Sequence, residues 1–246
     1  MNQKQNTMSK QIAGEKDPNI IVQIREFLDE LNNSGGKPME TMKPEEARKV
    51  LEGAQSSVKV DTSGIVESQK EITQDGEKVN IHIIKPKDLK DNKLPVFIFI
   101  HGGGWVLGDY PTHKRLVRDL VIGSSAAAIF VDYSPSPETH YPVAINQIYA
   151  ATKWVAENGD EIGVDGKNLA IAGNSVGGNM AAVVSLMAKD KKGPKIKFQL
   201  LLWPVTDADF SRESYKNYAE GRFLTTEMMK WMWDLYAPEK SKRKEK

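Results

Sequence analysis

Two unbroken apolar runs in this chain each lead directly into a glycine-rich turn. Residues 96–100, Val-Phe-Ile-Phe-Ile, are followed by His101 and three glycines, and residues 169–172, Leu-Ala-Ile-Ala, are followed by Gly-Asn-Ser-Val-Gly at positions 173–177. Apolar runs without alternating polar residues are typical of strands in a parallel sheet that is buried on both faces. The two runs therefore predict a layered fold in which each glycine turn lies at the end of a buried strand.

The rest of the chain alternates strand and helix patterns. Residues 64–84 predict two strands that turn at Asp75-Gly76, a dipeptide that tolerates positive φ. Further strands are predicted at residues 95–100, 126–132, 169–172 and 196–203, and helices at 112–124, 142–158 and directly after Ser175. This alternation predicts an α/β fold class, a doubly wound and mostly parallel sheet with right-handed crossovers.

Helical spacing also appears towards both ends of the chain. Residues 1–18 are polar and are predicted to be loose, and residues 44–55 and 225–236 predict helices. Residues 19–31 predict a helix with one buried apolar stripe, made of Ile20, Ile21, Ile24, Phe27, Leu28 and Leu31. The plainer interpretation of the Met and aromatic side chains of residues 225–236 is that they pack in the core.

The pentapeptide around Ser175 has the pattern of a serine nucleophile on a strand-to-helix elbow. Gly173 and Gly177 would leave room for a turn this tight. The turn would place Ser175 at the N-terminus of a helix, where free N–H groups and the helix dipole favour the negative charge that develops in acyl transfer. The plainer alternative is a glycine-rich connection without chemistry. The glycines after His101 favour the catalytic interpretation, because they let backbone N–H groups approach a substrate oxygen.

A serine hydroxyl needs a base that removes its proton, and the histidines of this chain do not supply an obvious one. All four histidines precede Ser175, whereas folds with this elbow place the triad histidine after the serine. His82 lies in a predicted strand and His140 in a loop, and we expect neither to be the base. No acidic residue after Ser175 can be assigned as the triad acid.

Three segments resemble the hormone-sensitive-lipase-like group of α/β-hydrolases, the bacterial carboxylesterases related to acetyl esterase. Residues 101–105 with Asp109 and Thr112-His113 resemble its histidine box. Residues 131–138 with Tyr141-Pro142 resemble its DYRLAPE and FP segment, and residues 173–178 resemble its GDSAGG box. The resemblance extends from about residue 64 to about residue 238.

The resemblance implies a serine hydrolase of small carboxylic esters that works through an acyl-serine intermediate. Ser175 would be the nucleophile, and the backbone N–H groups of Gly103, Gly104 and Val176 would form the oxyanion hole. His101 and His113 match positions that hold the oxyanion loop in shape. Two residues depart from the family pattern, since Asn174 stands where an aspartate is usual and Val176 where an alanine is usual.

The resemblance also implies a domain organisation. Residues 1–55 would form an N-terminal helical cap region, or alternatively helices packed on the flank of the sheet. Residues 56–246 would form the α/β-hydrolase domain, with a cap insertion at about 204–238. The Met and aromatic side chains of residues 225–236 would then line an acyl pocket. We expect this domain to be incomplete at its C-terminus and to lack the last strands, which carry the acid and base in the family. Catalysis by these residues alone is therefore expected to be impaired. Strand 196–203 would then form an open edge through which copies of the chain could self-associate.

The amino-acid composition limits the classes of partner and the kinds of site that this chain can have. The 34 basic and 33 acidic side chains nearly cancel, which argues against a nucleic-acid or anionic membrane surface as partner. The absence of cysteine excludes disulfides and cysteine metal sites, and together with the lack of a leader-like segment it predicts a cytoplasmic protein. No metal and no organic cofactor is implied. Two alternatives stay open, a non-catalytic homologue that binds a small molecule and a fragment without function.

Overall fold

A six-stranded sheet forms the centre of the computed structural model, which describes residues 12–89 and 93–244. Of the polar segment predicted to be loose at residues 1–18, residues 1–11 lie outside this range. The strands are β1 (Ile65–Gln74), β2 (Glu77–Pro86), β3 (Leu94–Ile100), β4 (Ala127–Asp132), β5 (Val164–Asn174) and β6 (Ile196–Leu202).

The strand order across the sheet is β1-β2-β4-β3-β5-β6. Neighbours among β4, β3, β5 and β6 are parallel, and β2 runs antiparallel to both β1 and β4. The predicted α/β class with a mostly parallel sheet is therefore confirmed. Asp75 and Gly76 form the predicted turn between β1 and β2, with φ values of 52° and 85°.

Seven α-helices are present in the described residues. They are α1 (Val22–Asn33), α2 (Pro44–Ser56), α3 (Tyr110–Ser124), α4 (Val143–Asn158), α5 (Val176–Asp190), α6 (Glu213–Asn217) and α7 (Thr226–Tyr236). The short helix α6 lies within the stretch predicted as a cap insertion at about 204–238. No helix in the described part of the chain has the length and apolar character needed to cross a membrane.

The core lies on both faces of the parallel strands. β3 and β4 are buried along nearly their whole length, as their unbroken apolar sequences predicted. One cluster packs α3 against the sheet and includes Phe97, Phe99, Val117, Val121 and Phe130. Helices α4 and α5 also pack on the strands, and both contact β5. Because β3 and β5 are held in this way, the turns at their carboxyl ends are anchored to well-packed strands.

The chain divides into two compact units. Within the described residues, one unit comprises residues 12–42 and 208–231, and the other comprises residues 43–89, 93–207 and 232–244. The second unit contains the whole sheet.

The prediction of a buried stripe on the first helix is wrong. Helix α1 begins at Val22 and its buried residue is Leu28, whereas Ile21, Ile24 and Phe27 are exposed to 66%, 46% and 48%. Within its unit, α1 packs on the short 3-10 helix Gly14–Lys16, which is too small to cover an apolar stripe. Helical spacing showed which side chains share a face, but it could not show what covers that face.

Candidate active site

Ser175 occupies a sharp turn between β5 and α5. Its backbone has φ 55° and ψ −122°, a combination that non-glycine residues rarely adopt. The turn is held at both backbone groups, because Ser175 N donates to Leu202 O at 2.9 Å and Ser175 O accepts from Val205 N at 3.2 Å. The end of β6 therefore fixes the elbow in place.

The glycines on either side of Ser175 are required by space. A Cβ on Gly173 would overlap the carbonyl oxygen of Gly177. A Cβ on Gly177 would overlap the carbonyl oxygen of Ile100 at the end of β3. The sequence-based explanation of these glycines is thus confirmed, and the second contact shows why the elbow lies directly beside the turn that follows β3.

That second turn, the glycine loop of residues 101–108, is a tightly folded segment. Gly103, Gly104 and Gly108 have φ values of 110°, 64° and 86°, and Trp105 has a φ of 62°. The carbonyl oxygen of Gly103 accepts hydrogen bonds from Val106 N at 3.2 Å and Leu107 N at 2.8 Å. The backbone can fold this way because glycine tolerates the left-handed region at little cost.

The glycine loop and the elbow are in direct contact. Gly102 N donates to Asn174 Oδ1 at 3.0 Å, and a Cβ added to Gly102 would lie 3.1 Å from Ser175 Cβ. Gly103 and Gly104 follow within the same loop. Val176 is the first residue of α5, so its N–H belongs to the first helical turn, which has no partner within the helix. The structure thus brings the four sequence-predicted site residues into one region.

The side chains of His101 and His113 hold the backbone of the glycine loop in place. His101 is 2% exposed, and its Nδ1 lies 2.7 Å from Gly102 O. Burial, with a smaller contribution from the nearby His113, lowers the pKa of His101 to about 3. Burial also lowers the pKa of His113, whose Nδ1 lies 3.2 Å from Asp109 O. Both rings are therefore neutral and engaged with backbone, in keeping with a role in holding the loop.

The other two histidines have partners elsewhere. His82 on β2 stacks on Tyr110 with ring centroids 4.2 Å apart, and its Nδ1 lies 3.3 Å from Gln69 Nε2. His140 Nδ1 lies 2.7 Å from Leu235 O. These contacts agree with the expectation that neither residue acts as the base for Ser175.

Helix α7 covers the glycine loop with sulfur and aromatic side chains. A Cβ on Gly104 would overlap Met232 Sδ, and Trp105 stacks on Tyr236 with centroids 4.3 Å apart and an interplanar angle of 2°. Trp233 lies against the same indole at 4.5 Å. Met232, Trp233 and Tyr236 are buried, so packing accounts for their spacing. The sequence analysis left open whether these side chains pack in the core or line a pocket, and it gave no signal that they contact this loop.

Comparison with known proteins places this geometry in a family. The alpha/beta hydrolase fold family matches residues 97–246. Over 160 residues the chain is 39% identical to the carboxylesterase NlhH of Mycobacterium tuberculosis, a match that covers 65% of this chain and 50% of that protein. It is 29% identical over 217 residues to an ethyl acetate hydrolase of Pseudomonas putida, covering 85% of this chain and 68% of that protein.

Solved structures agree with the sequence comparison. The crystal structure of a thermostable esterase from Pseudomonas putida ECU1011 superposes with a TM-score of 0.91 at 59% identity, covering 92% of this chain and 71% of that one. This chain thus spans about half the length of the mycobacterial carboxylesterase and about seven tenths of the Pseudomonas esterase.

Proposed function

Since the chain belongs to the α/β-hydrolase family, in its hormone-sensitive-lipase-like group, we propose that it hydrolyses small carboxylic esters through an acyl intermediate on Ser175. The observation that carries the proposal is the contact between the elbow and the glycine loop, in which Gly102 binds Asn174 beside Ser175. Relatives named carboxylesterase and ethyl acetate hydrolase support an ester as the substrate class.

The proposed reaction follows the usual two steps of acyl transfer. Ser175 Oγ attacks the ester carbonyl carbon while its proton passes to a water molecule that acts as a weak base, and the carbonyl oxygen becomes an oxyanion. The N–H groups of Gly103, Gly104 and Val176 would receive that oxyanion. Collapse of the tetrahedral intermediate releases the alcohol, which takes up a proton, and leaves an acyl-serine. Water then attacks the acyl-serine, releases the carboxylic acid and restores Ser175.

The base is the component for which the described contacts offer no candidate. Among the described residues, no hydrogen bond joins Ser175 to His82, His101, His113 or His140, and the Nδ1 atom of each ring has another partner. For these 246 residues on their own we therefore propose weak turnover. Serine hydrolases that lose triad members keep roughly 10³- to 10⁴-fold catalysis over water, and we expect no more here. The same observation favours a second candidate function, binding of a small ester or acid without turnover.

Labelling of the nucleophile tests the proposal. A fluorophosphonate probe should attach to Ser175, as located by mass spectrometry of the peptides, and the Ser175→Ala variant should lose both labelling and hydrolysis of p-nitrophenyl acetate. Ser185→Ala is the matched control, because Ser185 lies on the same helix with its Oγ bound to Ala181 O at 2.8 Å. Hydrolysis that persists in Ser175→Ala would disprove the assignment. Saturable binding of an ester analogue with no labelling would favour the second candidate.

We also propose that the protein works in the cytoplasm and without a nucleic-acid partner. The absence of cysteine suits a reducing compartment, and the net charge of +1 provides no attraction to polyanions.

Self-association through the free edge of the sheet is a further proposal. Strand β6 pairs with β5 and lies last in the strand order of the described sheet. Phe198 and Trp203 at this edge are exposed to 62% and 68%. Unpaired backbone groups flanked by exposed apolar side chains form a template for another chain.

A further inference from the structure

Arg48 lies outside every motif of the sequence, yet its guanidinium reaches the glycine loop from helix α2. Arg48 Nε donates to Val106 O at 2.7 Å, and Nη2 donates to Ser136 O at 2.9 Å. The same group forms a forked pair with Glu138, at 2.7 Å from Nη1 to Oε1 and 2.8 Å from Nη2 to Oε2. One side chain thus joins three segments that are far apart in sequence.

The Val106 carbonyl, which accepts from Arg48, belongs to the turn that shapes the glycine loop. Val106 N and Leu107 N both donate to Gly103 O, so a rotation of the Val106 peptide would disturb the Gly103 backbone. The preceding carbonyl, Trp105 O, is held by Ser136 N at 2.8 Å. The carbonyl groups of Trp105 and Val106 are therefore both held by residues outside the loop. Arg48 binds Val106 O directly, and it also binds the carbonyl oxygen of Ser136, the residue whose N–H holds Trp105 O.

The fork with Glu138 orients Arg48 more than it stabilises the fold. The side chains of Arg48 and Glu138 are exposed to 21% and 48%, and ion pairs open to solvent contribute little net stability. A planar guanidinium held by a carboxylate on one edge presents its remaining N–H groups in fixed directions. A lysine ammonium could keep the charge but could not hold the same set of acceptors.

We propose that Arg48 is a positioning residue for the oxyanion loop, which fixes the directions of the Gly103 and Gly104 N–H groups through the Val106 carbonyl. This inference rests on the proposed ester hydrolysis at Ser175. It assigns to helix α2 a part in the reaction that is distinct from simple packing, since the contact is made by hydrogen bonds to the backbone of the loop.

Four variants test the proposal. Arg48→Met removes all four hydrogen bonds and keeps much of the side-chain length, and Arg48→Lys keeps the charge alone. Glu138→Gln retains both backbone contacts of Arg48. Arg115→Met is the matched control, because Arg115 is an arginine on α3 with a side chain 66% exposed.

Kinetics with p-nitrophenyl acetate, measured well below the melting temperature of each variant, give the first result. Misplaced catalytic groups commonly cost one to two orders of magnitude, so Arg48→Met should lower kcat about tenfold or more and change KM by less than about twofold. Arg48→Lys should recover only part of the loss, and Glu138→Gln should lower kcat less than Arg48→Met, because it loosens the fork but keeps both backbone contacts of Arg48. Arg115→Met should stay near the wild-type value. A kcat of Arg48→Met close to wild type would overturn the inference.

Amide hydrogen exchange gives a second result that does not depend on turnover. Peptides that span residues 102–108 should exchange faster in Arg48→Met, whereas peptides from α4 should not change. If the wild-type protein shows no activity dependent on Ser175, the proposed function fails, and exchange alone decides whether Arg48 holds the loop. Unchanged exchange of the loop in Arg48→Met would overturn the inference in either case.

Discussion

The side-chain amide of Asn174 accepts a hydrogen bond from Gly102 N at 3.0 Å, and its Nδ2 lies 3.4 Å from His113 Nε2. Because Gly102 uses the amide oxygen, the amide nitrogen faces His113, and His113 Nε2 has to accept. The proton of the neutral ring is then on Nδ1, which lies 3.2 Å from Asp109 O. One asparagine thus joins the elbow to the glycine loop and sets the tautomer of the histidine beneath it.

We predict that Asn174→Asp raises the pKa of His113. The carboxylate would keep the bond from Gly102 N–H and would place a negative charge beside His113 Nε2, favouring the imidazolium. An opposite charge at this distance commonly shifts a pKa by about 1 to 3 units. Titration of the histidine side chains by NMR should show the shift for His113, with the wild-type protein as the reference. An unchanged titration of His113 would contradict the contact between the two side chains.

The buried histidines predict a loss of stability in mild acid. Burial lowers the pKa values of His82, His101 and His113 below the ordinary value of 6.5. The unfolded chain therefore binds protons at these sites before the folded chain does. The free energy of unfolding should fall as the pH drops from 7.5 towards 5, most steeply below the unfolded-state pKa of 6.5. The fall should reach about 1.4 kcal/mol per pH unit for each of the buried rings His101 and His113 while it stays neutral, with a smaller contribution from the partly exposed His82.

Urea unfolding between pH 7.5 and pH 5 measures this effect. The carboxylates whose pKa values are lowered in the fold, Asp17, Asp61, Glu67 and Glu138, lose their stabilising contribution mainly below this range. Burial raises the pKa of Asp132, which acts in the opposite direction. A free energy of unfolding that does not change over the range would show that the rings accept protons in the folded state.

Gly104→Ala should destabilise the protein strongly. The new Cβ would overlap Met232 Sδ at a backbone φ of 64°, so both crowding and backbone strain oppose it. Together these effects should cost about 2 to 5 kcal/mol in the free energy of unfolding. The matched control is Gly53→Ala, where a Cβ meets nothing within 4 Å on an exposed face of helix α2. That change should stabilise by roughly 0.5 to 1 kcal/mol.

Chemical denaturation of the two glycine variants checks this prediction, and a double variant locates its cause. Adding Met232→Ala to Gly104→Ala should restore part of the lost stability, because the overlapping atoms are removed. If Gly104→Ala unfolds at the wild-type midpoint, helix α7 does not press on the glycine loop.

Local rules predicted the parts of this site that depend on neighbouring residues. The glycines beside Ser175 indicated a tight turn, and Asp75-Gly76 indicated a hairpin, because backbone conformation follows from the residues that adopt it. Contacts between distant segments left no such signal. Arg48 is 58 positions from Val106, and only the fold shows that they meet. The prediction of a buried stripe on α1 failed for the same reason, because the sequence could not show which partner would cover that face.

Strand β6 gives the last prediction, which concerns association of copies of this chain. Its outer backbone groups are unpaired in the described sheet, and Phe198 is 62% exposed. Phe198 also lines a cavity of about 200 Å³ with Phe97, Leu120 and Leu200, so apolar surface continues from the edge onto the face of the sheet. We expect a second copy to cover this surface, because removing apolar area from water stabilises by about 25 cal/mol per Å².

Phe198→Lys should therefore weaken self-association, since a charged side chain at an edge strand opposes pairing with another chain. Leu186→Lys is the control, because Leu186 is 52% exposed on helix α5 and not on the edge strand. Sedimentation velocity over a range of concentrations should show dimers or larger species for the wild type and the control, and mainly monomers for Phe198→Lys. A wild-type protein that stays monomeric at the highest concentration would disprove this use of the edge. Equal association of the wild type and Phe198→Lys would place the interface elsewhere.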